Sequence, residues 1–313
     1  MGLNKFGRIA VLMGGASSER EISLKSGKAV YENLTQAELD TVAIDIQTED
    51  IQENSRLFKA HNIDCAFIAL HGRFGEDGQI QAILDNLKIP YTGSGVEASQ
   101  LAMDKIASRD IFKAGGLDVP SCKIMSKDSG GINLGINNMP LPLVVKPATQ
   151  GSSIGLSIVD SKEYLNKALD LAFSFDKRII VEEYITGREV TVGILDDQPL
   201  PVIEIIPKKR FFDYEAKYIA GMTEYRVLAD LDESVAQAIK NAGLLAHKLL
   251  GCQGCSRVDV ILGENNKPFV LEVNTIPGLT QTSLLPKAAG VAGIDFLSLC
   301  LKLLELAYAK NKR

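Results

Sequence analysis

The chain has little of what would place it in a membrane or on nucleic acid. Among its 313 residues no uncharged run approaches the length of a bilayer span. The opening stretch MGLNKFGRIAVLMGG has no long apolar segment of the signal-peptide kind, and Phe6 breaks the myristoylation pattern. Lys and Arg (34) are outnumbered by Asp and Glu (39), and the resulting net charge of −5 offers no footprint for a polyanion or an anionic lipid surface. A few local cations and backbone N–H groups still suffice for a small anionic ligand. Histidine is scarce, three in all, and the five cysteines are odd in number and scattered. The one Cys-x-x-Cys, CQGC at 252–255, lacks a second ligand pair and a histidine at metal spacing. Two small apolar thiols packed at a helix end are expected there instead. These absences lead us to expect a soluble, cytoplasmic chain with no membrane and no nucleic-acid partner.

What is present is an ordinary globular composition, 46% hydrophobic and 23% charged, long enough for two or three domains. RIAVLM (8–13) reads as a buried strand ending at Gly14-Gly15. Ser18-x-x-Glu21 then has the spacing of a capping box, and Ile22, Ala29, Val30 and Leu34 continue at helical intervals. DCAFIALHG (64–72) is a second buried strand, GEDGQIQAILDNL a loop entering a helix, and KIPYTGSG a short extended segment. That order predicts a small parallel α/β layer. From about Leu101 the pattern changes: a helix over 103–114, then VPSCKIM, then LPLVVKPA with GLSIVD and RIIVEEYI with EVTVGIL as paired strands joined by short turns. This half reads as α+β and largely antiparallel. Residues 207–223, PKKRFFDYEAKYIAGMT, mix polar and aromatic residues without a period and suggest a functional surface loop. A helix over about 234–250, a hairpin over 257–278, a Gly/Thr/Ser-rich link over 276–283 and a helix over about 295–309 close the chain, with no internal repeat.

The hairpin RVDVILGENNKPFVLEVNTIPG poses the sharpest question, because Asp259 and Glu272 lie inside strands that are otherwise apolar. With a four-residue turn at 264–267, Asp259 falls opposite Glu272 and Arg257 opposite Asn274, while Val270, Glu272 and Asn274 share a face. Facing like charges are destabilising unless something positive lies between them. Arg257 in an ion-pair network is one answer. Two carboxylates and an amide oxygen holding Mg²⁺ are another, since these are hard oxygen donors. LVVKPATQGSSIG (143–155) puts Lys146 at a strand end before a Gly/Ser loop that could close over phosphates; it is not the Walker pattern, and a long hairpin with a snorkelling lysine fits equally. LMGGASSERE (12–21) is a strand–glycine–helix junction without G-x-G-x-x-G, where Glu19 could answer the helix dipole or bind a substrate ammonium. In FDYEAKY (212–218), Lys217 could fold over an anion, or the aromatics could simply order a surface loop.

Taken in order, LMGGASSEREISLKSG, ALHGRFGEDGQIQ, YTGSGVEASQLAMDK, VVKPATQGSSIG, DYEAKY, RVDV and LEVNTIPGLTQTS resemble the D-alanine–D-alanine ligases of the ATP-grasp superfamily, from about residue 8 to residue 308. The resemblance implies an ATP-grasp fold: an amino-terminal parallel α/β domain (1–104), a small central α+β domain (105–185) and a carboxy-terminal α+β domain (186–313). It implies ATP-dependent joining of two D-alanine molecules through a D-alanyl phosphate, for peptidoglycan, by a homodimer. Lys105 and Lys146 are then expected at the ATP phosphates, with Ser152 and Ser153 in the covering loop. Glu182 and the backbone at Glu183 and Ile185 are expected at the adenine and Glu189 at the ribose. Asp259, Glu272 and Asn274 match the ligands of two Mg²⁺ ions, or of Mn²⁺ in their place. Arg257 and the N–H of Gly278 match the oxyanion donors, and Glu19, with His71 nearby, the first ammonium. Ser283, the N–H of Leu284 and Lys217 match the second carboxylate site. Tyr218 is expected in a hydrogen-bonded set with Glu19 and Ser152, and its presence favours the dipeptide over the D-lactate ester.

The chain departs from the family pattern at Glu183 (often Lys), Ile276 (usually Ser), Thr282 (often His) and Cys255 (a bulky aromatic). Ile276 and Thr282 are expected to border the second substrate. Other readings stay open at this point. They are a grasp ligase with D-lactate or D-serine as acceptor, a catalytically silent nucleotide-binding module, and a nicotinamide dehydrogenase resting on Gly14-Gly15 alone.

Overall fold

The computed structural model of the chain describes residues 3–127, 135–208 and 221–310. Strand β1 (Ile9–Gly14) is buried along its whole length, as its unbroken apolar run predicts. Helix α1 (Arg20–Gln36) follows, but the capping box does not form: Glu19 is the N-cap residue, without a side-chain capping bond. The Ser17 hydroxyl accepts the Glu19 N–H at 3.2 Å instead, leaving the Glu19 carboxylate to turn away from the helix. Strand β2 (Thr41–Ile46), helix α2 (Ile51–His61), strand β3 (Cys65–Ile68) and helix α3 (Gln79–Leu87) complete a parallel three-stranded sheet in the order β2-β1-β3. The sequence pattern hides β2 because, as an edge strand, half of it faces solvent.

The helix expected over 103–114 forms as α5 (Lys105–Ala114), two residues shorter at its start, and a further helix, α4 (Val96–Met103), precedes it. Asp104 is extended between them (φ −83°, ψ 98°), and its carboxylate caps α5 by accepting the N–H of Ile106 at 2.9 Å and of Ala107 at 3.1 Å. Lys105 thereby becomes the first residue of α5. A second sheet holds β4 (Cys122–Ser126), β5 (Leu143–Pro147) and β6 (Ser157–Val159), with helix α6 (Leu165–Phe175) leading into β7 (Arg178–Glu183); its order is β4-β7-β5-β6.

The third sheet contains β8 (Arg188–Leu195), the short β9 (Gln198–Pro199), β10 (Ile203–Pro207) and β11 (Thr223–Val227). Helix α7 (Glu233–Leu249) precedes β12 (Cys255–Leu262) and β13 (Pro268–Asn274), and the main sheet order is β11-β10-β8-β12-β13. Helices α8 (Leu284–Val291) and α9 (Phe296–Lys310) follow. RIIVEEYI and EVTVGIL are therefore not partners: β7 pairs with β4 and β5, β8 with β10 and β12. The short link between them carries the chain from one sheet to the other, and Gly187 passes so close to the Leu262 carbonyl that a Cβ would collide with it.

The terminal hairpin keeps the expected opposition, Asp259 to Glu272 and Arg257 to Asn274, by a different route. Near the turn the pairs are Leu262–Pro268 and Val260–Val270, one residue out of that register, and the shift between Asp259 and Val260 restores it. The extra residue is Leu271, a β-bulge, which resets the side-chain alternation. Val270 accordingly packs with Val273 in the core and does not share a face with Glu272; Leu271 and Glu272 both face a cavity.

Val11 and Phe67 share a core with Leu195, Ile205, Leu285 and Leu303, binding the first sheet to the end of the third. The second sheet has a separate core of Val145, Val181 and Leu169 under α6. Cys252 and Cys255 are buried, and burial pushes both thiols up to about 12, as packing residues require. Among the described residues no helix is long and apolar enough to cross a membrane.

Candidate active site

Two cavities meet in the cleft. One of about 140 Å³ lies between the second and third sheets, and one of about 620 Å³ lies between the third sheet, α8 and the loops after β1 and β3. Lys105 and Glu272 belong to the walls of both.

The smaller chamber has a mostly apolar lining set with charged groups. Lys146 leaves β5 and Glu182 leaves β7 as diagonal neighbours, since Val144 is the residue opposite Glu182. The Lys146 Nζ is 2.6 Å from Glu182 Oε1, and Arg109 of α5 places Nη1 2.7 Å from Oε2. Glu183 points the other way and accepts the Ser121 N–H at 2.7 Å. Ile185, Glu189, Ser153 and Asp259 complete the wall. Around this chamber stand four carboxylates, of Glu182, Glu189, Asp259 and Glu272, against the ammonium groups of Lys105 and Lys146.

The Gly/Ser loop over this chamber is held from both ends. At its root the Thr149 N–H and hydroxyl both donate to Asp176 Oδ2 at 2.8 Å. Lys105 Nζ donates to the Gln150 carbonyl at 2.8 Å. Ser152 and Ser153 are left-handed (φ 51° and 58°), a conformation costing about 1–2 kcal/mol per non-glycine residue and concentrated at functional loops. At the far side the Ser152 hydroxyl donates to Glu19 Oε1, joining this loop to the residue before α1.

The larger chamber is more mixed. Glu19 is buried, 7% exposed, on its wall. His71 Nε2 lies 3.0 Å from the Ser26 hydroxyl and its Nδ1 3.6 Å from Glu76 Oε1. Glu76 is a site residue that sequence reasoning missed; burial pushes its carboxyl above the usual range, with the His71 contact opposing. Its signal was a carboxylate in the turn GEDG (75–78), which looks like an ordinary helix approach. Gly278 brings its backbone close to Ser283, whose Oγ would lie 2.9 Å from an added Cβ. Ser283 is the residue before α8, and its Oγ accepts the Thr280 N–H at 3.1 Å. Leu284 and Thr282 line the same wall, whereas Ile276, expected to border it, is buried in the core under the first sheet. Nothing can be placed for Lys217 and Tyr218, which lie outside the described residues.

The terminal hairpin separates the chambers. Arg257 holds Asp259 with both ends of its fork, Nε to Oδ1 at 2.9 Å and Nη2 to Oδ2 at 2.8 Å, and Thr191 donates to Oδ1 at 2.7 Å. Lys105 Nζ is 3.1 Å from Glu272 Oε2. Asn274 Oδ1 accepts the Ile276 N–H at 2.9 Å. Asp259 faces the smaller chamber, Asn274 the larger, and Glu272 both. No group of three or more His, Cys, Asp or Glu side chains suited to a metal occurs among the described residues. The donor set here is two carboxylates and an amide, hard oxygens already facing cationic side chains, and it fits a divalent ion of the magnesium kind.

Two antiparallel sheets closing on a charged slot, with paired acids on the final ribbon, define an ATP-grasp protein. The crystal structure of D-alanine–D-alanine ligase from Bacillus anthracis complexed with ATP matches with a TM-score of 0.85 at 34% identity, covering 97% of this chain and 98% of that one. The VanG D-Ala:D-Ser ligase from Enterococcus faecalis matches with a TM-score of 0.83 at 31% identity over 96% and 99% of the two chains. The D-alanine–D-alanine ligase of Citrifermentans bemidjiense is 48% identical over 303 residues, 97% of each chain. Family models for the amino terminus and the carboxy terminus of D-ala D-ala ligase match residues 8–52 with 47–94, and 113–305. The chain belongs to the D-alanine–D-alanine ligase family.

Proposed function

We infer that the protein joins two D-alanine molecules at the expense of ATP, supplying D-alanyl-D-alanine for peptidoglycan. The observation that carries this reading is the shared wall: Lys105 and Glu272 stand where the slot between the second and third sheets opens into the larger chamber. A phosphoryl group transferred there passes from one chamber to the other.

The chemistry requires two steps. A free carboxylate is a poor electrophile, because its charge is delocalised and its leaving group is oxide. The first D-alanine carboxylate therefore attacks the γ-phosphorus, giving D-alanyl phosphate and ADP. The amine of the second D-alanine then attacks the acyl carbon, and phosphate leaves from the tetrahedral intermediate.

Lys105 and Lys146 hold the ATP phosphates, Ser153 and its loop cover them, and Glu182 with the backbone at Glu183 and Ile185 meets the adenine, with Glu189 at the ribose. Glu19, linked to Ser152, holds the first ammonium beside His71. Arg257 and the Gly278 N–H stabilise the oxyanion, and Ser283 with the Leu284 N–H orients the second carboxylate. Asp259, Glu272 and Asn274 would hold Mg²⁺, which would neutralise phosphate charge in a slot whose carboxylates outnumber its ammonium groups. Lys217 is assigned to the second carboxylate and Tyr218 to the Glu19–Ser152 set. The separate core of the second sheet, Met125 to Val181, supports a central unit within 105–185, although Phe112 of α5 packs with the third sheet. A cytoplasmic homodimer completes the proposal.

Mass spectrometry of products from purified protein with ATP, Mg²⁺ and D-alanine alone tests this directly. The expected result is D-alanyl-D-alanine with one ADP per dipeptide. No dipeptide, or preferential ester or D-serine product when D-lactate or D-serine is added at neutral pH, overturns it.

A further inference from the structure

We propose that Arg109 is a positioning residue for nucleobase recognition: it holds Glu182 as a fixed acceptor from behind the slot, so that Lys146 can leave Glu182 for the phosphates. The inference rests on the reading of Glu182 as the adenine-facing side chain.

Glu182 is 3% exposed and has a cation at each oxygen, Lys146 Nζ at 2.6 Å and Arg109 Nη1 at 2.7 Å. The two cations are not equivalent. Lys146 lines the slot on a flexible stem and can turn to an incoming anion. Arg109 does not line it; its side chain is 5% exposed and the other arm of its fork donates to the Pro120 carbonyl. A triphosphate can therefore recruit Lys146 and not Arg109. Without Arg109, that recruitment would strand a buried carboxylate beside a second anion, an arrangement buried charge does not tolerate. With Arg109 in place Glu182 keeps a partner throughout.

The same contact bears on which base is accepted. A carboxylate pinned by a guanidinium is an acceptor only. It suits the exocyclic amine of adenine and sets lone pair against lone pair with the 6-oxo group of hypoxanthine. Helix α5 organises this economically, because Lys105 and Arg109 are one turn apart on it. One reaches the wall shared by the chambers, and the other the back of the adenine end. A purely structural ion pair would stabilise the fold without any influence on the choice of base.

The test is steady-state kinetics with ATP and ITP for the wild type, Arg109→Met and Arg109→Lys. Arg109→Met is expected to raise KM for ATP at least tenfold with kcat at saturation within about threefold, and to lower the ATP-over-ITP preference at least tenfold. Arg109→Lys is expected to restore both to within about threefold of wild type. A folded Arg109→Met protein with unchanged KM and base preference, or with loss of kcat alone, overturns the inference. Should Arg109→Met fail to fold, the pair Glu182→Gln and Arg109→Met/Glu182→Gln decides. If Arg109 acts through Glu182, the double variant shows the same base preference as Glu182→Gln, and a further loss from the second substitution overturns it. Wild-type protein without ATP-dependent dipeptide synthesis would sink the function proposed above, an outcome separate from all of these.

Discussion

The two chambers of the cleft are built on different electrostatic plans. In the smaller one the charges are already spent on each other, Lys146 with Glu182 and Lys105 with Glu272, while Asp259 is held from the larger side by Arg257. In the larger one the polar groups are held in fixed positions, Ser283 with Thr280 and Asn274 with Ile276 within their own loops, His71 with Ser26 and Glu19 with Ser152 between elements. The first plan recognises a ligand by exchange of ionic partners, so its residues must be able to let go. The second recognises by preset position, so its residues must not move. Substitutions on the nucleotide side should therefore alter chemistry and nucleotide affinity, and those on the far side the acceptor.

Glu272→Gln strikes the wall common to both chambers and should have the largest effect. It keeps the shape and removes the charge that faces Lys105. A loss in kcat on the order of 10³ or more is expected, with nucleotide affinity by calorimetry changed less than tenfold. A variant that retained a tenth of wild-type turnover would show that the phosphoryl group does not cross at this point. Arg257→Met comes next. It removes the donor we assign to the developing oxyanion, and kcat should fall on the order of 10²–10³ while KM for ATP stays nearly constant. Equal losses in ATP binding would move Arg257 from the acyl side of the comparison to the nucleotide side.

Ser283→Ala sharpens the other half. A hydrogen bond to a charged carboxylate contributes roughly 1.5–3 kcal/mol, so KM for the second D-alanine should rise by about tenfold to a hundredfold. Neither kcat at saturation nor KM for ATP should follow. If KM for ATP rises in parallel, the chambers are coupled more tightly than their separate bonding suggests.

How much of this was legible in the sequence depended on whether a residue's partner was local. Asp259 and Glu272 stood out because charge inside an apolar hairpin demands an explanation, and counting across the turn gave their opposition correctly. The count succeeded although the turn and the bulge at Leu271 each differ by one residue, because the two offsets cancel. The bulge itself left no mark, so the face of Val270 was misjudged. Helix α4 went unread because it is only eight residues long, and α5 was expected two residues early because its cap Asp104 leaves no mark in the apolar spacing. The link between β7 and β8 looked like a hairpin turn, and only tertiary packing sends the two strands to different sheets. Arg109 and Glu76 were invisible for a related reason. Arg109 lies 73 residues from Glu182, and Glu76 looks like part of an ordinary turn until His71 and burial give it a role.

The smallest expected effect lies outside both chambers and serves as the control for the comparison. Glu204 on β10 accepts from the Arg188 fork, Nε to Oε1 at 2.7 Å and Nη2 to Oε2 at 2.8 Å, and this bonding holds its carboxyl below the ordinary value of 4.5. The native state thus binds this proton less readily than the unfolded chain. The stabilisation is fully present above about 4.5 and is lost as pH falls through the lower native value. The Arg188 side chain is 39% exposed, so solvent screening limits the gain, and Glu204→Gln should cost about 1 kcal/mol at pH 7. Urea midpoints should show the gap between variant and wild type narrowing steadily as pH is lowered below 4.5, with turnover and both KM values unaffected at pH 7. A gap that stays constant with pH would assign the loss to packing of the side chain. A change in KM for ATP would extend the exchangeable ionic network beyond the slot, and so erase the boundary between the charges that let go and those that only hold the sheet together.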